Sequence, residues 1–410
     1  MLTERYKILE ESPYWVALKA CEAAQKDNNL DALAKGARSL CSSHLVSLPE
    51  GSWERLNDAR LEVVRPLEAS MEHAHEAARI YAGVIGSGGS TTEQTHESLR
   101  GIARILDHAA DFLIDYVKQP GAALVKQGEQ AESGFIPKDI HAAIRDGLSV
   151  GDGFDATTVS PARLQLAASS FRFLDALADF NPAQAAQWTE TLAYRAADAE
   201  PEAFGDFLQS EFLPRRKAYI ERIAERDLGQ AIQANMNVIG STLGIDRPDP
   251  NFPDTVETLI RHGGKLAETD PARAAAVFTA AANGAHVMAS LETSQQIAGK
   301  LKHVRSYGRD EYAQTIQRDS AAQVMLGRNY EPQAVAAWDG VIETLKAQNA
   351  DKAKSVIAHT AAEAWPGSLL YLRAHEELYN LPRPTLPAAE PVRPALPSAV
   401  RAALPEPHRQ

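Results

Sequence analysis

A short polar residue, then proline, then alanines leading to a large apolar side chain, recurs along this chain. Asn181-Pro182 leads to Trp188, Asp270-Pro271 to Val277 and Phe278, and Glu331-Pro332 to Trp338. Proline suits the first helical position, where its missing N–H would lack a partner anyway. The polar side chain before it accepts from the exposed N–H groups of the first turn. Repeated use of this device describes a chain of many separate helices.

The apolar periodicity agrees. Leu99, Ile102, Ile105, Leu106, Ala109, Leu113, Tyr116 and Val117 fall on one helical face. Leu164, Ala167, Ala168, Phe171, Leu174 and Ala178 are expected to share another, and Val335, Trp338, Ile342 and Leu345 a third. Strand-like alternation is almost absent. The expected fold is all-α: stacked helical hairpins, multi-subdomain or loosely solenoidal. The hydrophobic share of 44% contains much alanine, which favours helix but buries little area. Many thin helix–helix contacts are therefore expected rather than one thick core, and 410 residues exceed one compact core of ordinary size.

Breaks divide the chain. Residues 1–118 read as an N-terminal helical domain and 119–160, with Pro120, Pro137 and several glycines, as a connector. Residues 161–245 form a middle subdomain. The three prolines of 246–254 make a linker, and 255–380 form a C-terminal subdomain. Residues 381–410 are proline-rich and poor in large apolar side chains, so they are expected to form a disordered tail. A five-residue pattern returns in it: Arg383-Pro-Thr-Leu386-Pro387, Arg393-Pro-Ala-Leu396-Pro397 and Arg401-Ala-Ala-Leu404-Pro405. A proline-rich segment favours the polyproline II form, which presents leucine and proline to an aromatic groove and arginine to an acidic rim. A soluble spacer is the plainer reading of the same residues.

The net charge of −12 argues against general nucleic-acid binding or attachment to anionic membrane. The tail runs against this balance, with four arginines and two glutamates. No stretch approaches the ~20 apolar residues of a membrane span. The nearest, Ala274 to Ala289, is interrupted by Thr279, Asn283, Gly284 and His286. Residues 1–11 have no apolar core and carry acids, unlike a secretory signal. The two cysteines, Cys21 and Cys41, read as small buried side chains in a reducing compartment. A cytoplasmic location is expected, with host-targeted secretion as the alternative.

Three segments carry helix pairs in an Asn/Glu-Pro-x-x-Ala-x-x-Trp-like setting. They are 13–48 with Trp15 and Leu18, 181–214 with Pro182, Ala185 and Trp188, and 331–366 with Pro332 and Trp338. Locally these resemble tetratricopeptide-like helical-hairpin repeats, whose period is about 34 residues. Leu192 and Ile342 stand where the repeat has a small residue, and Phe204 and Lys354 where it has alanine. The resemblance implies stacked hairpins and no ligand.

Candidate chemistry is sparse. Gly83 to Ser90 has the outline of a phosphate loop, but Gly89 stands where lysine belongs and no strand precedes it, so a flexible joint is expected. Glu72-His-Ala-His75 and Glu93-Gln-Thr-His96 each hold Glu-x-x-His, which places carboxylate and imidazole on one helical face as in di-iron bundles. Glu72, His75, Glu93 and His96 are thus the metal candidates, with His73, Asp107, His108 and Asp111 nearby. Pro214-Arg-Arg-Lys217 is expected to open a helix. Lys302, Arg305 and Arg309, with Tyr307 close by, are candidates for gripping an acidic partner.

No catalytic motif stands out, so no cofactor is expected. The leading expectation is a non-enzymatic protein–protein interaction scaffold or adaptor, binding protein partners through a helical groove and the tail residues named above. A metal-dependent helical-bundle enzyme and a secreted bacterial effector are the alternatives.

Overall fold

A computed structural model of the chain describes residues 1–379 apart from 11, 43–50, 71, 88, 119–137, 150–159, 197–201, 242–248, 291–296, 300, 303–304 and 307–309. Among the described residues the fold is all-α, with no strand. The chain forms two compact units, Met1–Tyr219 and Ile220–Gln410. The repeated tail motif and Arg309 lie outside the described residues.

In the first unit, α1 (Leu2–Arg5) and a short 3-10 turn precede α2 (Tyr14–Lys26) and α3 (Leu30–Cys41), which pair as a hairpin. Asn29 caps α3 by accepting from Ala32 N–H at 3.0 Å. Helices α4 (Ser52–Glu68), α5 (Ala74–Ile85) and α6 (Thr92–Lys118) pack on one another. The expected connector contains α7 (Lys138–Ser149), which packs on α5, and so it contributes to the body. Helices α8 (Pro161–Phe180), α9 (Pro182–Ala196) and α10 (Glu202–Arg226) complete the set.

The buried face of α8 differs from the expected stripe. Leu164 and Ala168 are exposed, while Ala162, Leu166, Phe173 and Leu177 are buried together with Phe171 and Leu174. Helices α6, α7 and α9 all pack against α8, so burial extends over most of its circumference.

The glycine joint after α5 is held rather than open. The helix runs through Gly83, and the buried Asn57 amide donates to Ser87 Oγ at 2.9 Å and Ser90 Oγ at 3.3 Å. Gly89 lies against Trp53, where a Cβ would stand 2.8 Å from the tryptophan Cβ.

The second unit comprises α11 (Leu228–Ser241), α12 (Phe252–Ala267), α13 (Pro271–Ala289), α14 (Asp310–Gln348), α15 (Ala350–Glu363) and α16 (Leu369–Tyr379). Trp338 is fully buried at its centre among Val335, Ile342, Phe278 and Ile357 of one continuous apolar cluster. Its indole N–H donates to Thr360 Oγ1 at 3.1 Å, which joins α14 to α15. Asn283, an interruption in the apolar run of α13, donates to Glu363 O at 3.0 Å and accepts from Trp365 N–H at 2.8 Å. Both halves of its amide thereby secure the end of α15.

Two prolines depart from their expected roles. Pro182 and Pro271 open helices, with Asn181 and Asp270 accepting from Gln184 and Arg273 N–H. Pro332 lies inside α14, which begins at Asp310, and Pro214 lies inside α10. The 331–366 segment therefore does not start with a new helix, and that weakens its likeness to a repeat unit. An interior proline costs about 3 kcal/mol in an isolated helix. Around Pro332 the burial of Tyr330, Ala334, Val335 and Trp338 offsets that cost.

Candidate functional site

The last described helix carries apolar side chains on two sides. One side of α16 buries Leu370, Arg373 and Ala374. At about 100° per residue, Tyr371, Leu372, His375, Leu378 and Tyr379 share a contiguous arc on the other side. Within that arc Leu372 is 52% exposed, Leu378 38% and Tyr379 65%, while His375 is half-buried and Tyr371 packs partly buried against the apolar core. Along it the rings form a ladder. Tyr371 and His375 centroids are 4.1 Å apart, and His375 and Tyr379 6.2 Å. His375 Nδ1 lies 2.9 Å from Tyr371 O, which steadies the middle ring.

The helix beneath this face is firmly anchored. Arg373, almost fully buried, pairs with Asp339 at 2.8 Å, Glu377 at 3.1 Å and Glu376 at 3.5 Å. Lys346 adds a contact to Glu377 at 2.5 Å and to Glu343 at 3.0 Å. Burial of Lys346 works against its charge, but the Glu377 and Glu343 hydrogen bonds outweigh it and its pKa is raised. Glu376 and Glu377 are thereby paired with cations, and their side chains are only 16% and 11% exposed.

The first unit has a polar cleft of about 620 Å³ between its N-terminus, α4 and the start of α6. Glu93 and His96 line it, while Glu72 and His75 do not. His75 instead lies 3.3 Å from Glu76. Among the described residues no group of three or more His, Cys, Asp or Glu side chains is gathered to hold a metal ion. The four-residue metal set proposed from sequence is therefore not brought together: Glu93 and His96 lie on α6 beside the cleft, and His75 lies on α5 beside Glu76. The neighbouring acids are engaged in packing: Asp107 and Asp111 both pair with Arg172, which ties α6 to α8. Within the cleft the charges answer one another. Glu62 accepts from Arg5 at 2.6 Å and from Tyr6 Oη at 2.7 Å, and Gln94 donates to Asp58 at 2.9 Å. Burial and then the Glu62 hydrogen bond push the Tyr6 phenol up.

Of the basic candidates, Lys302 and Arg305 are exposed, and Arg305 donates to Gln317 Oε1 at 3.2 Å. The exposed face of α16 was missed by sequence reasoning. Its signal was present as Tyr371, His375 and Tyr379 at a spacing of four, the separation that brings residues together on one helical face.

Comparison of the chain with protein-family models, with curated proteins and with solved structures gives no significant match. Among the described residues no helix is long and apolar enough to cross a membrane.

Proposed function

We propose that this chain is a non-enzymatic helical module that binds a protein partner, with the α16 ladder as its contact face. One observation carries the reading: α16 has an apolar stripe in excess of the one it buries. A surface helix of a self-sufficient domain ordinarily keeps its outer side polar. Contiguous exposed apolar side chains on a folded protein mark sites of association. Tyrosine suits such a face, since a large rigid ring gains contact area at small entropic cost.

The test is affinity capture from the native host with the full chain and with Leu372→Ser/Tyr379→Ser. Both substituted positions are exposed, so the variant should melt with the unchanged protein. A partner retained in stoichiometric amount by the unchanged chain and lost from the variant is the expected result. Equal retention by both, or no partner at all, overturns the proposal.

A further inference from the structure

We infer that the α16 face takes a second copy of this chain, laid antiparallel to the first across a two-fold axis at His375. This rests on the reading of α16 as a contact face and names its occupant.

The face is symmetric about one residue. Tyr371 and Tyr379 stand four positions before and after His375, and Leu372 and Leu378 three positions before and after it. At about 100° per residue the two tyrosines lie about 40° to either side of His375, and the two leucines about 60° to either side. Reversing the helix direction about His375 therefore exchanges tyrosine with tyrosine and leucine with leucine. A two-fold contact requires this of a surface, since whatever one copy presents the other must receive.

The pairing follows from those angles. At each end of an antiparallel contact, Tyr371 covers Leu378 of the second copy and Leu372 lies under its Tyr379. His375 meets His375 of the second copy on the axis. The three most exposed members, Leu372, Leu378 and Tyr379, are all removed from water. An axis moved by a full turn would run one tyrosine of each copy past the end of the partner helix, because α16 has only eleven residues.

Charge permits the approach. Glu376 and Glu377, on the rim of the face, are held by Arg373 and Lys346 of the same copy. Two copies thus meet without opposed free carboxylates. Size sets the strength. Eleven residues span about 16 Å, and one helix face of that length is smaller than the ~800 Å² per partner of a standard interface. The pair is therefore an exchanging one, with a dissociation constant on the order of 10–100 μM.

Sedimentation velocity of the full chain, at concentrations on both sides of that constant, tests the inference. The mass should rise from one chain to two and stop there. Leu372→Ser/Tyr379→Ser should weaken the association at least tenfold while melting with the unchanged chain. A short bismaleimide cross-linker reads the register. His375→Cys should be joined to a second copy above the background of the unchanged chain, and Glu268→Cys, exposed beyond α12, should not. A single-chain mass throughout overturns the inference, as does growth past two chains, an undiminished dimer in the double variant, or equal cross-linking at both cysteines. A monomer that still retains a different protein from the host removes this inference alone and leaves the contact-face reading in place.

Discussion

The carboxylate of Glu331 accepts the backbone N–H of Leu369 at 2.7 Å, although the two stand 38 positions apart in the chain. Its Oε1 also lies 3.2 Å from His286 Nδ1. One buried side chain on α14 thus caps the first turn of α16 and meets α13. Ser368 adds a local cap by accepting from Tyr371 N–H at 3.0 Å. The first N–H groups of a helix have no partner of their own, so Glu331 supplies what the local chain leaves open.

Replacing Glu331 by alanine should destabilise the second unit by about 1–3 kcal/mol, the usual cost of leaving a buried donor unsatisfied. Glu331→Gln retains an acceptor oxygen and should recover much of the loss. The urea midpoint measures both. Equal midpoints for Glu331→Ala and the unchanged chain would show that water replaces the carboxylate at no cost.

Gly327 and Gly340 lie on the same helix and should respond in opposite directions. A Cβ on Gly327 would stand 2.5 Å from Ala285 O and 2.9 Å from Ala289 N, both backbone atoms of α13. Backbone cannot step aside, so Gly327→Ala must push α13 and α14 away from each other. A cost of about 1–3 kcal/mol or more is expected, the range for overpacking a core. Gly340 is exposed and nothing lies within 4 Å of its added Cβ. Gly340→Ala should stabilise by about 0.5–1 kcal/mol through the entropy of the unfolded chain. Thermal melting of the two variants beside the unchanged chain checks the signs.

These helix contacts explain what could be read from the sequence and what could not. The all-α fold was legible because helical periodicity and the caps at Asn181 and Asp270 are local properties. The role of Glu331 was not. Its partners stand in α13 and α16, so a local reading makes it the opener of a helix that in fact began at Asp310. The same limit applies to Glu72, His75, Glu93 and His96. Spacing within each pair is local, but their convergence depends on how α5 and α6 pack. The α16 face was visible as an aromatic spacing, yet its exposure depended on which stripe of the helix the core would take.

Cys21 and Gly36 should be coupled. A Cβ on Gly36 would stand 2.6 Å from Cys21 Sγ, across the α2–α3 hairpin. Gly36→Ala alone should destabilise, and adding Cys21→Ala should relieve most of that loss because the sulfur that obstructs is gone. A double-mutant cycle by urea unfolding reads the coupling, and strictly additive effects would contradict it. Burial, with a smaller contribution from Cys41, pushes the Cys21 thiol up to about 12. Thiolate is the reactive form, so a disulfide-exchange reagent at mildly alkaline pH should modify the native chain far more slowly than the unfolded one.

His262 sets an acid limit on the second unit. It is fully buried on α12 beside Glu221, with Nε2 3.2 Å from the carboxylate. Burial lowers its pKa below the ordinary 6.5, and this outweighs the opposing pull of Glu221. The folded state therefore holds the imidazole neutral where the unfolded chain has begun to protonate. Stability from this group is complete above about pH 6.5 and falls as pH drops from there toward the folded pKa, with a limiting slope of about 1.4 kcal/mol per pH unit. Glu221 acts lower in pH. Its hydrogen bond to Arg261 depresses its pKa, so its contribution is present above the usual carboxylate value of 4.5 and is lost below it. His141 in the first unit is also lowered by burial and adds a parallel loss there. Urea midpoints measured from pH 7.5 to 5 should fall, and His262→Gln, which cannot take up a proton, should flatten the fall in the second unit. An unchanged slope in that variant would assign the acid sensitivity elsewhere.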